Sequence, residues 1–152
     1  EERTSNNACG GPVNTPNTEL TGAYARTTRE ITVSVDPIFL DDESDPDTGL
    51  FFWAYHVIIR NNGEETVKVV SRHWRITNAQ GALQEVRGEG VVGEQPVLGP
   101  GDAFEYTSGT PLSTPSGIMG GSYQVTSSGG DAFEIDIPTF SLDSPYEGRT
   151  VN

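Results

Sequence analysis

From Glu30 to Leu142 the chain never sustains a helical spacing of apolar residues. Short runs of β-branched and aromatic side chains are instead cut by Gly, Pro, Asn and Asp at intervals of roughly 8 to 15 residues, the pattern of an all-β domain. Ile31, Val33 and Val35 alternate with Thr32 and Ser34 as a half-buried strand, until Asp36-Pro37 predicts a bulge or a sheet switch. Asp41 to Gly49 reads as an acidic turn, and Leu50 to Arg60 as the longest strand. In that strand Phe51, Trp53, Tyr55, Val57 and Ile59 make the core face, while the other face carries His56 and Arg60 beside Phe52 and Ile58. Asn61-Asn62-Gly63-Glu64 is a hairpin signal, because Asn-Gly takes positive φ readily, and it leads into a strand over Val67 to Asn78. Further strands are expected at Leu83 to Arg87, Ala103 to Thr107, Gly121 to Ser127 and Phe133 to Leu142. Seven or eight antiparallel strands without a helical crossover imply a two-sheet antiparallel sandwich, immunoglobulin-like or fibronectin type III-like.

At 152 residues the chain suits one domain with a genuine core. Residues 1–29 are polar, rich in Asn, Thr, Gly and Pro, and read as a flexible N-terminal arm; 30–146 form the domain and 147–152 a C-terminal tail. Residues 1 to about 28 are expected to include processed or non-native sequence and stay outside the functional argument. The chain carries 22 acidic against 9 basic residues, a formal charge of −13. That field disfavours nucleic acid and anionic membrane as partners. The basic residues cluster nonetheless: Arg60, Lys68, Arg72, Arg75 and Arg87 face only Glu64, Glu65 and Glu85 over the same stretch, an island of about +2. The single Cys9 forms no internal disulfide, no Cys/His spacing suggests zinc, and no apolar run approaches a membrane span. A cytoplasmic location without cofactor is the expectation.

Gly88-Glu89-Gly90-Val91-Val92-Gly93 has the Gly-x-Gly-x-x-Gly spacing of a dinucleotide-binding turn. Such a turn needs a helix beginning inside it, whereas Pro96, Pro100, Pro111 and Pro115 follow at short intervals. Two readings remain. In one, Gly88, Gly90 and Gly93 permit bulges or close backbone approach between sheets. In the other, successive amides form an anion-accepting concavity to which Arg87 and Arg72 add positive charge, with Glu89 and Glu94 opposing it. Strand parity puts Arg72 inward beside Val70, Trp74 and Ile76, so a salt bridge, a bulge or a ligand must satisfy it. His56 and His73 face each other if paired positions of the hairpin sum to 129, and separate if the sum is nearer 125. Asp41, Asp42, Glu43, Asp45 and Asp47 make a solvated turn or a weak divalent site, without the central Gly and terminal Glu of an EF-hand. No nucleophile elbow is present, no His has an evident acidic orienter, and Ser108 reads as a turn residue, so the chain is not expected to be an enzyme.

Several strings together resemble the ApaG family. They are Trp53-x-Tyr55, Ile59-Arg60-Asn61, Arg72-x-Trp74-x-Ile76-Thr77, the run Gly88 to Pro96, Pro100-Gly101, Tyr106-Thr107-Ser108-Gly109, Thr114-Pro115-x-Gly117-x-Met119-Gly120 and Ile137-Pro138-x-Phe140-x-Leu142. The resemblance spans roughly Ile31 to Pro145. It implies a fibronectin type III-like sandwich in a small cytoplasmic bacterial protein, an association with cobalt and magnesium tolerance, and pyrophosphate as a ligand of the glycine string. It further implies a gene beside a diadenosine tetraphosphate hydrolase, and relatives appended to F-box and DNA-polymerase-interacting proteins; recurrence as an attached module favours binding over catalysis.

The sequence therefore leads to a non-enzymatic binding or regulatory module, monomeric or weakly dimeric. Its expected partner is a protein that docks on the face near Arg72 to Arg75 and the 88–96 loop. The alternative is a sensor holding phosphate, pyrophosphate or nucleotide at Arg87, Arg72, Gly88, Gly90 and Gly93. A magnesium-dependent phosphohydrolase at the acidic turn is the weakest reading.

Overall fold

The structure, a computed structural model, describes Arg3–Thr4 and residues 24–146. In chain order the strands are β1 (Arg3–Thr4), β2 (Tyr24–Thr28), β3 (Ile31–Phe39), β4 (Phe51–Asn61), β5 (Val67–Asn78), β6 (Leu83–Glu89), β7 (Val97–Leu98), β8 (Ala103–Leu112), β9 (Ser116–Ser127) and β10 (Ala132–Asp143). One sheet runs β1-β8-β4-β3-β2 and the other β10-β9-β5-β6, with β7 also on β5. Every pairing is antiparallel, as expected of a two-sheet sandwich.

Alternation places the core where the sequence put it. Ile31, Val33 and Val35 of β3 and Phe51, Trp53, Tyr55, Val57 and Ile59 of β4 are all buried. Opposite them Trp74 of β5 lies at the centre, its ring 4.9 Å from Tyr55 and 6.3 Å from Phe140. The two sheets are joined through the interior by the hydroxyls of Tyr106 on β8 and Tyr123 on β9, 2.6 Å apart. Burying two phenols is tolerable because each supplies the other's hydrogen-bond partner.

The Asn-Gly stretch is not a hairpin. β4 and β5 lie in different sheets, so residues 62–66 carry the chain across the sandwich. Asn61, 1% exposed, governs the crossing: its side-chain amide donates to the carbonyls of Glu65 (2.8 Å) and Leu98 (2.9 Å), and its Oδ1 accepts from the Gly63 N–H (2.9 Å). That Asx-type bond turns the backbone out of the ladder, where a hairpin would have required a second strand alongside. His56 and His73 consequently never meet: His56 pairs with Asp36 and Thr107, and His73 with Arg87 and Ser122.

Other expectations also change. Asp36-Pro37 is neither bulge nor switch, because β3 keeps its register with β4 from Ile31 to Phe39. Hydrogen bonds from Leu40 N to Phe52 O and from Asn62 N to Glu30 O set the even residues of β3 toward β4. The nitrogen of Pro37 thus points away from β4, past the last described β2 pair, Tyr24↔Val35, so the β3–β4 ladder loses no donor to it. Ser108 is a buried strand residue, since β8 continues to Leu112 rather than stopping at Thr107. β5, β9 and β10, at 12 residues each, exceed the 11 of β4. Residues 24–28 of the expected arm form β2 and Arg29 begins the turn into β3, while residues 1–2 and 5–23 of the arm, and the 147–152 tail, lie outside the described residues.

Candidate interaction face

A β-bulge at Val70 organises the region that the basic island occupies. The β5–β9 register shifts between Val69 and Ser71, so Val67 and Val69 face the core before the bulge, and Trp74 and Ile76 after it. Arg72 falls on the inner side of the post-bulge segment, opposite Gly88, and is half-buried. Its Nη1 donates to the carbonyls of Glu89 and Gly90, both at 3.2 Å. A Cβ on Gly88 would approach that same Nη1 to 2.7 Å, so the missing side chain of Gly88 is the space the guanidinium fills.

The remaining glycines close a tight turn. Val91 and Glu94 exchange backbone hydrogen bonds, N to O 2.6 Å in one direction and 2.9 Å in the other. The two residues between, Val92 and Gly93, have φ of 43° and 84°, the sign that a type I′ turn requires at both positions. A β-branched residue at positive φ is strained, by an order of 1–2 kcal/mol. Gly90 N donates to Val70 O at 2.7 Å. The amides of Gly90, Val91 and Glu94 are thus committed to carbonyls of the protein itself. Arg72, Arg87 and Gly88 do line one shallow depression of about 320 Å³, together with His73, Glu89 and Glu134. Gly90 and Gly93 line a separate one, shared with Glu89 and Glu94.

Across the outer face of β6, β5, β9 and β10 the register arranges side chains in rows: Glu89, Ser71, Gln124, Glu134; then Arg87, His73, Ser122, Asp136; then Leu83, Thr77, Ile118, Ser141. In the first two rows Glu134 accepts from Ser122 and Gln124 at 2.9 Å each. Glu85 is 2.7 Å from His73 Nε2 and accepts from Arg87 at 3.1 Å, which keeps its carboxyl below the ordinary range, chiefly through the His73 hydrogen bond. Arg75, exposed on the same face, has no partner among the described residues. The third row differs in kind: Leu83 is 54% and Ile118 52% exposed.

The histidine in the other sheet has partners the sequence did not disclose. His56 Nδ1 lies 2.8 Å from Thr107 Oγ1, and its Nε2 lies 3.6 Å from Glu105. Hydroxyl, imidazole and carboxylate thus follow one another, but His56 and Thr107 are directly opposed in the β4–β8 ladder, a placement that by itself brings two such side chains within reach. The acidic turn folds as two short 3₁₀ turns, Asp41–Glu43 and Pro46–Thr48, and among the described residues no three His, Cys, Asp or Glu side chains gather as a metal-binding group. No described helix is long and apolar enough to cross a membrane. Leu83 could have been found from sequence, as an apolar residue in phase with Glu85, Arg87 and Glu89. Ile118 could not, because the start of β9 at Ser116 carries no alternation.

Comparison with known proteins bears on the same region. The model of the ApaG domain matches residues 41–127. The chain is 60% identical over 129 residues to Protein ApaG of Paramagnetospirillum magneticum, covering 85% of this chain and 99% of that one. It is 61% identical over 127 residues to Protein ApaG of Rhodospirillum centenum, covering 84% and 97%. A crystal structure described as the putative ApaA protein from Bordetella pertussis superposes with a TM-score of 0.74 at 49% identity, over 76% of this chain and 94% of that one.

Proposed function

The chain belongs to the ApaG domain family, and from that premise we propose that it is a non-catalytic binding module that docks a partner protein on the outer face of β6, β5 and β9. The observation that carries this is the Leu83–Thr77–Ile118 row. Two large apolar side chains stand more than half exposed on a face whose other rows are polar, and beside them Arg75 has no partner among the described residues. Apolar contacts rimmed by a guanidinium are the composition of a docking site. Of the basic island, Lys68, Arg75 and Arg87 stand on this face, beside Glu85 and Glu89, and they lessen the repulsion that the chain's net −13 presents to an acidic partner; Arg60 lies on β4 of the other sheet and Arg72 turns inward. The cobalt and magnesium association and a cytoplasmic setting belong to this reading as properties of the assembly rather than of a site in this chain.

Site-specific photo-crosslinking tests it. A benzophenone side chain at position 118 or 75 should capture one defined protein in cells, whereas the same probe at Thr32, on the other sheet's outer side, should not. Indistinguishable capture from both sheets would sink the proposal.

The depression shared by Arg72, Arg87 and Gly88 supports a second reading, a phosphate or pyrophosphate sensor. Its basic groups are offset by Glu89 and Glu134 in the same depression. An amide-shift titration with pyrophosphate and diadenosine tetraphosphate, with and without magnesium, decides it: saturable shifts at 87–89 that vanish in Arg87→Ala would favour the sensor, and unmoved spectra would remove it.

A further inference from the structure

We infer that β6 is a self-association edge: two copies of this chain pair their β6 strands antiparallel about a two-fold axis at Val86, making one continuous eight-stranded sheet. Backbone direction supplies the first argument. Asn78 N donates to Ala82 O and Gly90 N to Val70 O, and both pairs are in phase with the β5–β6 register. Even residues of β6 therefore bond to β5, and Leu83, Glu85 and Arg87 direct their N–H and C=O groups to the open edge, while the Glu89 carbonyl accepts from Arg72 Nη1. Among the described residues, β6 pairs with β5 alone.

The kind of protection supplies the second. An edge strand is ordinarily blunted by Pro, by a bulge, by a covering element or by charged side chains, Lys above all, that repel an incoming strand. Leu-Gln-Glu-Val-Arg-Gly-Glu contains neither Pro nor Lys, and its register with β5 is unbroken. The other sheet's corresponding edge, β8, is paired by β1.

Charge selects the occupant. Two-fold antiparallel pairing requires the numbers of opposed residues to sum to an even value, so that each outer face meets an outer face. A sum of 170 sets Glu85 against its own copy, and 174 sets Arg87 against its own copy. Only the central value, 172, sets Glu85 opposite Arg87 twice, with Val86 against Val86 between them and Gln84 against Gly88. The strand is thus complementary to itself in this register and repulsive in the two beside it; the next complementary one, 176, sets Arg87 opposite Glu89 but runs the ladder into the turn after Gly90.

This pairing is independent of the partner reading above, since it uses the backbone edge of β6 rather than the outer row at Ile118. The test is sedimentation equilibrium of the full chain, its Glu85→Arg and Arg87→Glu variants, and their equimolar mixture. The wild-type chain should show a concentration-dependent monomer–dimer equilibrium. Each exposed single reversal places like charges opposite one another twice and should weaken it by about tenfold or more. Mixing the two variants recreates opposite-charge pairs and should restore a dimer containing one of each. A wild-type chain that stays monomeric at all concentrations, a dimer indifferent to the reversals, or a mixture that does not recover would each overturn the inference.

Discussion

The two flanks of the sandwich are closed by different means. On one, β2 extends the first sheet and is stitched across the gap to β10 of the second. The Asp136 N–H donates to Thr28 Oγ1 at 3.2 Å, Arg26 reaches Asp136 at 3.1 Å, and the Tyr24 ring lies 5.8 Å from that of Phe140. Arg29 continues the seam, 4.0 Å above the Phe133 ring and 3.3 Å from Asp131. The β10 strand also carries a bulge at Pro138-Thr139, between Ile137 and Phe140. On the other flank β6 has β5 on one side and open edge on the other, with alternating charge in place of a seam. Edges need covering because unpaired backbone groups invite another strand. The contrast puts the aromatic surface to internal use on one flank and, among the described residues, leaves hydrogen-bond-competent backbone on the other, the flank of the proposed pairing.

Breaking the link between the flanks should have the largest effect. Asn61 ends β4 of the stitched sheet and holds the Leu98 carbonyl of β7, on the open flank. Asn61→Ala leaves two carbonyls and one amide without their partner in a buried corner. That should cost about 2–3 kcal/mol of unfolding free energy by urea denaturation with an unchanged m-value. A loss below about 1 kcal/mol would mean that water replaces the side chain and that the corner does not join the flanks.

Amide exchange sharpens the comparison without changing a residue. The odd residues of β3 face β2, so the amides of Val33 and Val35 are covered, whereas those of Glu85 and Arg87 face the open edge. In dilute protein, exchange should be at least about tenfold slower at Val33 and Val35. If β6 pairs with its copy, the gap should narrow as concentration rises, with Glu85 and Arg87 slowing and Val33 unmoved. Equal exchange on both flanks would erase the distinction.

The same contrast marks what could be read before the fold was known. Strong alternation made β3, β4 and β5 legible, because a half-buried strand must alternate. The polar, exposed β2 carried no such signal, and neither did the second half of β8, whose inward positions are Ser108, Thr110 and Leu112. Asn61-Asn62-Gly63 misled because a turn signal is local, whereas the choice between hairpin and crossing depends on partners far away in sequence, Asp102 and Leu98 among them. The Arg72–Gly88 contact became visible only with the register, since Val70 as a bulge residue resets the phase. Of the proposed site, the charge island was legible and the open edge was not.

The smallest expected effect concerns Glu85, at the centre of the open flank. Its carboxyl titrates below the ordinary carboxylate value, first because His73 hydrogen-bonds to it and further because Arg87 lies beside it, with desolvation acting in the opposite direction. A carboxylate whose pKa is depressed on folding adds stability that is present above its unfolded value and is lost as pH falls through the folded one. The charge is solvent-exposed, so the gain in stability is slight and the titration itself is the better readout. Following the Glu85 carboxyl carbon by NMR, the midpoint should lie below that of an unperturbed Glu and rise toward it in His73→Ala. A midpoint indifferent to His73 would show that Glu85 is not held by the imidazole. It would then be free to turn toward an incoming strand, removing one cause of the flank's preference for a single register.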